Sequence, residues 1–69
     1  MKLEPVGSST LKLVGYDPES QVLTIVFPSG NVYKYADVPP DVFRSLMSAP
    51  SKGKFFNEHV RTTYKVEKA

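Results

Sequence analysis

Ser51-Lys52-Gly53-Lys54 places a hydroxyl, two ammonium groups and a position without a side chain in consecutive residues. At a helix start, unpaired backbone N–H groups face outward and favour an anion. Ser51 then adds a donor, Lys52 and Lys54 add charge, and Gly53 lets a phosphate approach the backbone. The run is not a P-loop, because the spacing of first Gly, Lys and Ser is absent. The plainer reading is an N-capped helix with solvated lysines. Arg61 and Lys65 lie four apart, which on a helix extends a basic stripe along one face.

Tyr33 and Tyr35 are two apart, so on a strand both rings leave the same face. They read either as a stacking platform for a nucleic-acid base or sugar, or as core rings with hydroxyls at the rim. His59 beside Glu58 reads as a packing histidine rather than an acid–base pair. Ser8-Ser9 has no base placed to activate it. Asp17, Asp37 and Asp41 read as turn and helix-start acids, since isolated carboxylates rarely hold a metal. With no cysteine and one histidine, a thiolate zinc site, a Cys nucleophile and a multi-histidine metal site are excluded within one chain. No cofactor or metal is expected.

The elements that position these groups follow from periodicity. Residues 10–16 read as a strand with Leu11 and Leu13 alternating about Lys12. Asp17-Pro18-Glu19-Ser20 is a turn, Asp bonding the backbone and Pro pre-setting φ. Residues 21–27 are β-branched and aromatic with apolar residues on both faces, which suits a central strand. Pro28-Ser29-Gly30 supplies a type I turn with Gly at positive φ, and residues 31–36 form a third strand. If Phe27 faces Asn31, Ile25 pairs with Tyr33 and Leu23 with Tyr35. Leu23, Ile25, Phe27, Tyr33 and Tyr35 then face the core. Val22, Thr24, Val26, Val32 and Lys34 share the opposite, open face, where the first turn leaves room for Val14 and Tyr16. An open apolar face marks a contact site, so Tyr16, Val22, Val26, Val32 and Lys34 are interface candidates. Val38-Pro39-Pro40-Asp41 starts a helix with the stripe Val42, Phe43, Leu46 and Met47. Pro50 ends it. Ser51 caps a second helix carrying Phe56, Val60 and Tyr64.

The expectation is one α+β domain over residues 1–69: a three-stranded antiparallel meander followed by two short helices on one face. Residues 1–7 are expected to be a flexible lead-in and 65–69 a frayed tail. A 69-residue chain without disulfides is marginal, and eight or so large apolar side chains must carry the core. No run approaches a membrane span, and Met1–Pro5 lacks the pattern of a signal peptide. Lack of cysteine points to a reducing, cytoplasmic compartment. The net charge of +2 is unevenly spread. Residues 1–43 hold three lysines against five carboxylates; residues 44–69 hold six cations against two. The basic third favours anionic partners.

Several pieces taken in order resemble the KTSC domain, a module named for the C-terminus of some lysyl-tRNA synthetases and also found as small bacterial and phage proteins. They are Ser8-Ser9, Gly15-Tyr16-Asp17, Leu23 to Phe27 with Gly30, Tyr33-Lys34-Tyr35, Val38-Pro39, Ala49-Pro50-Ser51-Lys52-Gly53, Phe55-Phe56-Asn57, Val60-Arg61 and Tyr64. The resemblance covers roughly residues 6–64. It implies a module without catalytic residues, for which RNA binding is suggested; synthetase activity belongs to a different domain. Two function classes stay open. One is a nucleic-acid-binding module, RNA above all, acting through the helix start and stripe. The other is a protein-interaction or homo-oligomerising module using the open sheet face.

Overall fold

The computed structural model describes residues 3–6 and 10–68. Its framework is a five-stranded antiparallel sheet in sequential order: β1 (Leu3–Pro5), β2 (Leu13–Asp17), β3 (Val22–Val26), β4 (Val32–Tyr35) and β5 (Val66–Lys68). Helices α1 (Pro40–Ser48) and α2 (Lys52–Phe55) lie between β4 and β5, and α2 runs into a π-helical turn, Phe56–Val60. The α+β class and the meander β2-β3-β4 are as expected.

The hairpin β3–β4 has the register that the turn dictates. Leu23 pairs with Tyr35 and Ile25 with Tyr33. Phe27 N–H donates to the Asn31 carbonyl at 2.9 Å, and Gly30 takes φ +95°, the left-handed region that the tight turn needs. At the β2–β3 turn, Glu19 N–H donates to Asp17 Oδ1 at 3.0 Å, the Asx bond expected of that position.

Two expectations about the chain ends are corrected. Leu3–Pro5, placed in a flexible lead-in, pairs with β2 as an edge strand, Leu3 opposite Gly15 and Pro5 opposite Leu13. Val66–Lys68, placed in a frayed tail, pairs with β4 as the other edge. Three residues are too few for alternation to show in sequence. What orders them is the row of unpaired N–H and C=O groups that each flank of a meander presents. Ser8-Ser9 lies outside the described residues.

A third correction concerns β2. Tyr16 pairs with Leu23 and Val14 with Ile25, so both sit on the core face, not the open one. Tyr16 is removed from the open-face set: its ring stacks on Phe43 of α1 at 4.8 Å, and its hydroxyl donates to the Val38 carbonyl at 2.5 Å. Leu13, opposite Val26, takes a place on the open face, whereas Leu11, ahead of the strand, is buried in the core. The regular alternation expected over residues 10–16 therefore begins only at Leu13.

The core lies between the sheet and the helices: Leu11, Val14, Leu23, Ile25, Val38, Leu46, Phe56 and Val60 are fully buried. Burying each such side chain contributes about 1.5–3 kcal/mol. α1 starts on Pro40 and ends where Ala49 turns to extended backbone ahead of Pro50, its stripe supplying Leu46 to the core with Val42, Phe43 and Met47 packed at its margin.

Candidate functional site

Phe56 organises the site. Its ring meets Tyr35 edge-on at 5.4 Å and Phe27 at 5.7 Å, and Phe27 meets Tyr33 at 5.3 Å. These T-shaped contacts are the favoured geometry of aromatic quadrupoles. Phe56 is 1% exposed and Tyr35 4%, so both belong to the core. Tyr33 and Phe27, nearer the sheet margin, are half-buried. The two readings of the tyrosine pair thus divide: Tyr35 is core, and Tyr33 keeps part of its ring at the surface.

That surface is concave. A groove of about 510 Å³ runs between the β4–β5 edge and the π turn. Phe27, Tyr33, Tyr35, Phe56 and Val66 supply its apolar part; Ser29, Asn31, Asn57 and Arg61 supply its polar part. Among the described residues, no carboxylate side chain lines it. Arg61 reaches it because the helix widens to π geometry, its N–H donating to the Phe56 carbonyl five residues back at 2.9 Å. Burial raises the Tyr35 hydroxyl above its ordinary pKa. The nearby Arg61 guanidinium offsets part of that rise, and Tyr33 adds to it. Lys68 pairs directly with Tyr33 across β4–β5 and brings a second cation to the same face. It was hidden in sequence because its strand was.

The helix start is built differently. Ser51 Oγ accepts from Lys54 N–H at 3.4 Å, so the cap bond is formed within the chain. Gly53 is buried, and a Cβ there would lie 2.7 Å from Thr10 Cβ and Oγ1. Its small size therefore serves helix–loop packing, which corrects the reading that it admits a phosphate. Ser51 and Lys54 border a separate shallow cleft of about 370 Å³ shared with Phe55, Glu58 and His59. Lys52 is half-buried and Lys54 exposed. The His59 ring packs on Phe55 at 4.6 Å.

The expected Arg61–Lys65 stripe is not helical. The π turn ends at Val60, a turn covers the next residues, and Lys65 leads into β5 with its carbonyl accepting from Ala36 N–H at 2.9 Å. The cations thus part into two groups: Arg61 at the groove, and Lys52 and Lys54 at the helix start.

On the opposite sheet face, Val22, Val26 and Val32 are half-buried and Lys34 is exposed. Leu13, also half-buried, and Leu3, 41% exposed, extend this apolar surface. Lys34 pairs across to Glu67 of β5, and Thr24 is buried at the centre. Among the described residues, no helix is long and apolar enough to cross a membrane.

An uncharacterized protein of Stutzerimonas stutzeri is 47% identical over 58 residues, covering 84% of this chain and 82% of its own. A lysine–tRNA ligase of Nostoc punctiforme is 46% identical over 65 residues. That match takes in 94% of this chain and 11% of the ligase. The crystal structure of a KTSC domain protein from Yersinia pestis superposes with a TM-score of 0.95 at 35% identity, covering 99% of this chain and 96% of that one. A family model for the KTSC domain matches residues 7–64, and with these relatives on either side of it the chain belongs to the KTSC domain family.

Proposed function

We propose that this small module binds nucleic acid, RNA in particular, and does so without catalysing a reaction. The observation that carries the reading is the groove, where the partly exposed ring of Tyr33 lies with Arg61 and Asn57 in one concave surface that, among the described residues, no carboxylate side chain lines. Aromatic faces with a guanidinium and amides are what single-stranded nucleic-acid sites use. The relatives named as lysine–tRNA ligases, which contain this module as a small part of their length, fit the same reading. An NMR titration with mixed short RNAs at low and physiological salt tests it. Shifts at Tyr33, Asn57 and Arg61 that weaken with salt are expected. Their absence at low salt overturns the proposal.

A second reading follows from a separate observation, the contiguous apolar surface of Leu3, Leu13, Val22, Val26 and Val32. It makes the open face a contact for a protein partner or a second copy. A strict monomer in sedimentation at high concentration removes the second copy from that reading.

A further inference from the structure

We infer that the groove takes an unpaired nucleotide, its base against Tyr33 and its phosphate at Arg61, and discriminates against duplex. This rests on the nucleic-acid reading above and deepens it to one substrate class. The groove's volume, about 510 Å³, falls in the range of small-ligand clefts, roughly 300–1,000 Å³. Such a cleft admits one nucleotide unit. A duplex keeps its base faces stacked inside and offers a surface of phosphates and 2′-hydroxyls. The Tyr33 ring would then find no base face, and the amides of Asn31 and Asn57 no Watson–Crick edge, to meet. An unpaired base supplies both.

The charge layout agrees. Arg61 lines the groove on the helix side, and Lys68 stands beside Tyr33 on the sheet side. Two cations flanking one ring suit phosphates on either side of a single stacked base. The rigid part of the wall is buried: Phe56 and Tyr35 hold Phe27 and, through it, Tyr33 in place by edge contacts. A ring held in place before binding loses little freedom on stacking.

The test measures fluorescence anisotropy of the whole chain with labelled oligouridylate, labelled oligoadenylate and a labelled RNA duplex. Single strands are expected to bind more tightly than duplex. Tyr33→Ala lowers single-strand affinity by about 10- to 100-fold, and Tyr33→Phe, which keeps the stacking ring, lowers it much less. Arg61→Gln, at an exposed position, lowers the slope of log affinity against log salt by about 0.7. Equal binding of duplex, or Tyr33→Ala binding like the parent, overturns the inference and leaves RNA binding in place. No binding of any of the three RNAs at low salt overturns both.

Discussion

The groove and the helix start carry similar charge and differ in how they are built. At the groove, an aromatic wall seated in the core holds a partly exposed ring beside Arg61, and no acidic side chain among the described residues lines it. At the helix start, the serine is engaged by its own helix, the glycine is closed off by Thr10, and Lys54 shares its cleft with Glu58 and His59. Along the chain, cations are denser at the second region, with Lys52 and Lys54 two residues apart. Concavity and an available ring favour the first. A cation acquires specificity from the shaped surface around it, because an isolated solvated lysine attracts any anion weakly and equally.

The largest loss is expected at Phe56. Phe56→Ala removes the buried ring that joins Phe27 to Tyr35, and is expected to cost about 3–5 kcal/mol. In so small a domain that leaves little of the folded state, and urea denaturation followed by circular dichroism measures it. Next comes Gly53. Gly53→Ala forces a methyl against Thr10 and is expected to cost about 1–3 kcal/mol, while leaving single-strand affinity of the folded fraction unchanged. A loss of affinity equal to that of an Arg61 variant would return the helix start to the binding site.

Tyr16→Phe leaves the buried Val38 carbonyl without its donor and is expected to cost about 1–3 kcal/mol. The same residue sets an alkaline limit. Burial first, and the Asp17 carboxylate second, raise the Tyr16 hydroxyl above its ordinary pKa; Tyr35 is raised as well, chiefly by burial. A folded value above the unfolded one means that the contribution is complete below about pH 10. It is lost as pH rises through the folded values. Melting temperature against pH should therefore fall on the alkaline side, and less steeply in Tyr16→Phe.

Lys52→Glu with Lys54→Glu is expected to weaken RNA binding only through the general field, less than Arg61→Glu does, in anisotropy at low salt. The smallest effect belongs to Asp17. The Glu19 N–H first and the Ser20 hydroxyl second hold its carboxyl below the usual range. That stability is present above about pH 4 and fades as pH falls through the folded value. Asp17→Asn should flatten the acid limb slightly.

Where a local rule suffices, sequence and structure agree. The Pro28-Ser29-Gly30 turn dictates the β3–β4 pairing, because loop length and one positive φ leave a single register. Ser51 and Pro50 mark a helix boundary through backbone chemistry that acts within a few residues. The β2 register was open because its four-residue turn admits more than one pairing, and Tyr16 fell on the wrong face. β1 and β5 carry no period at all; only the flanks of the finished meander call them into order. The groove escaped for a related reason. Phe27, Asn57, Arg61 and Val66 come from separate stretches, and the π turn that aims Arg61 has no sequence signature here.

Sequence alone determined the α+β class, the central hairpin with its register, the first helix and its apolar stripe, and the basic character of the final third. Each depends on interactions between residues near one another in the chain, or on composition. Tertiary packing settles which tyrosine is core and which is surface, that the cations divide between two sites, and that β1 and β5 flank the meander. Those outcomes depend on which distant side chains compete for the same space, and hydrophobic period and turn chemistry carry no information about that competition.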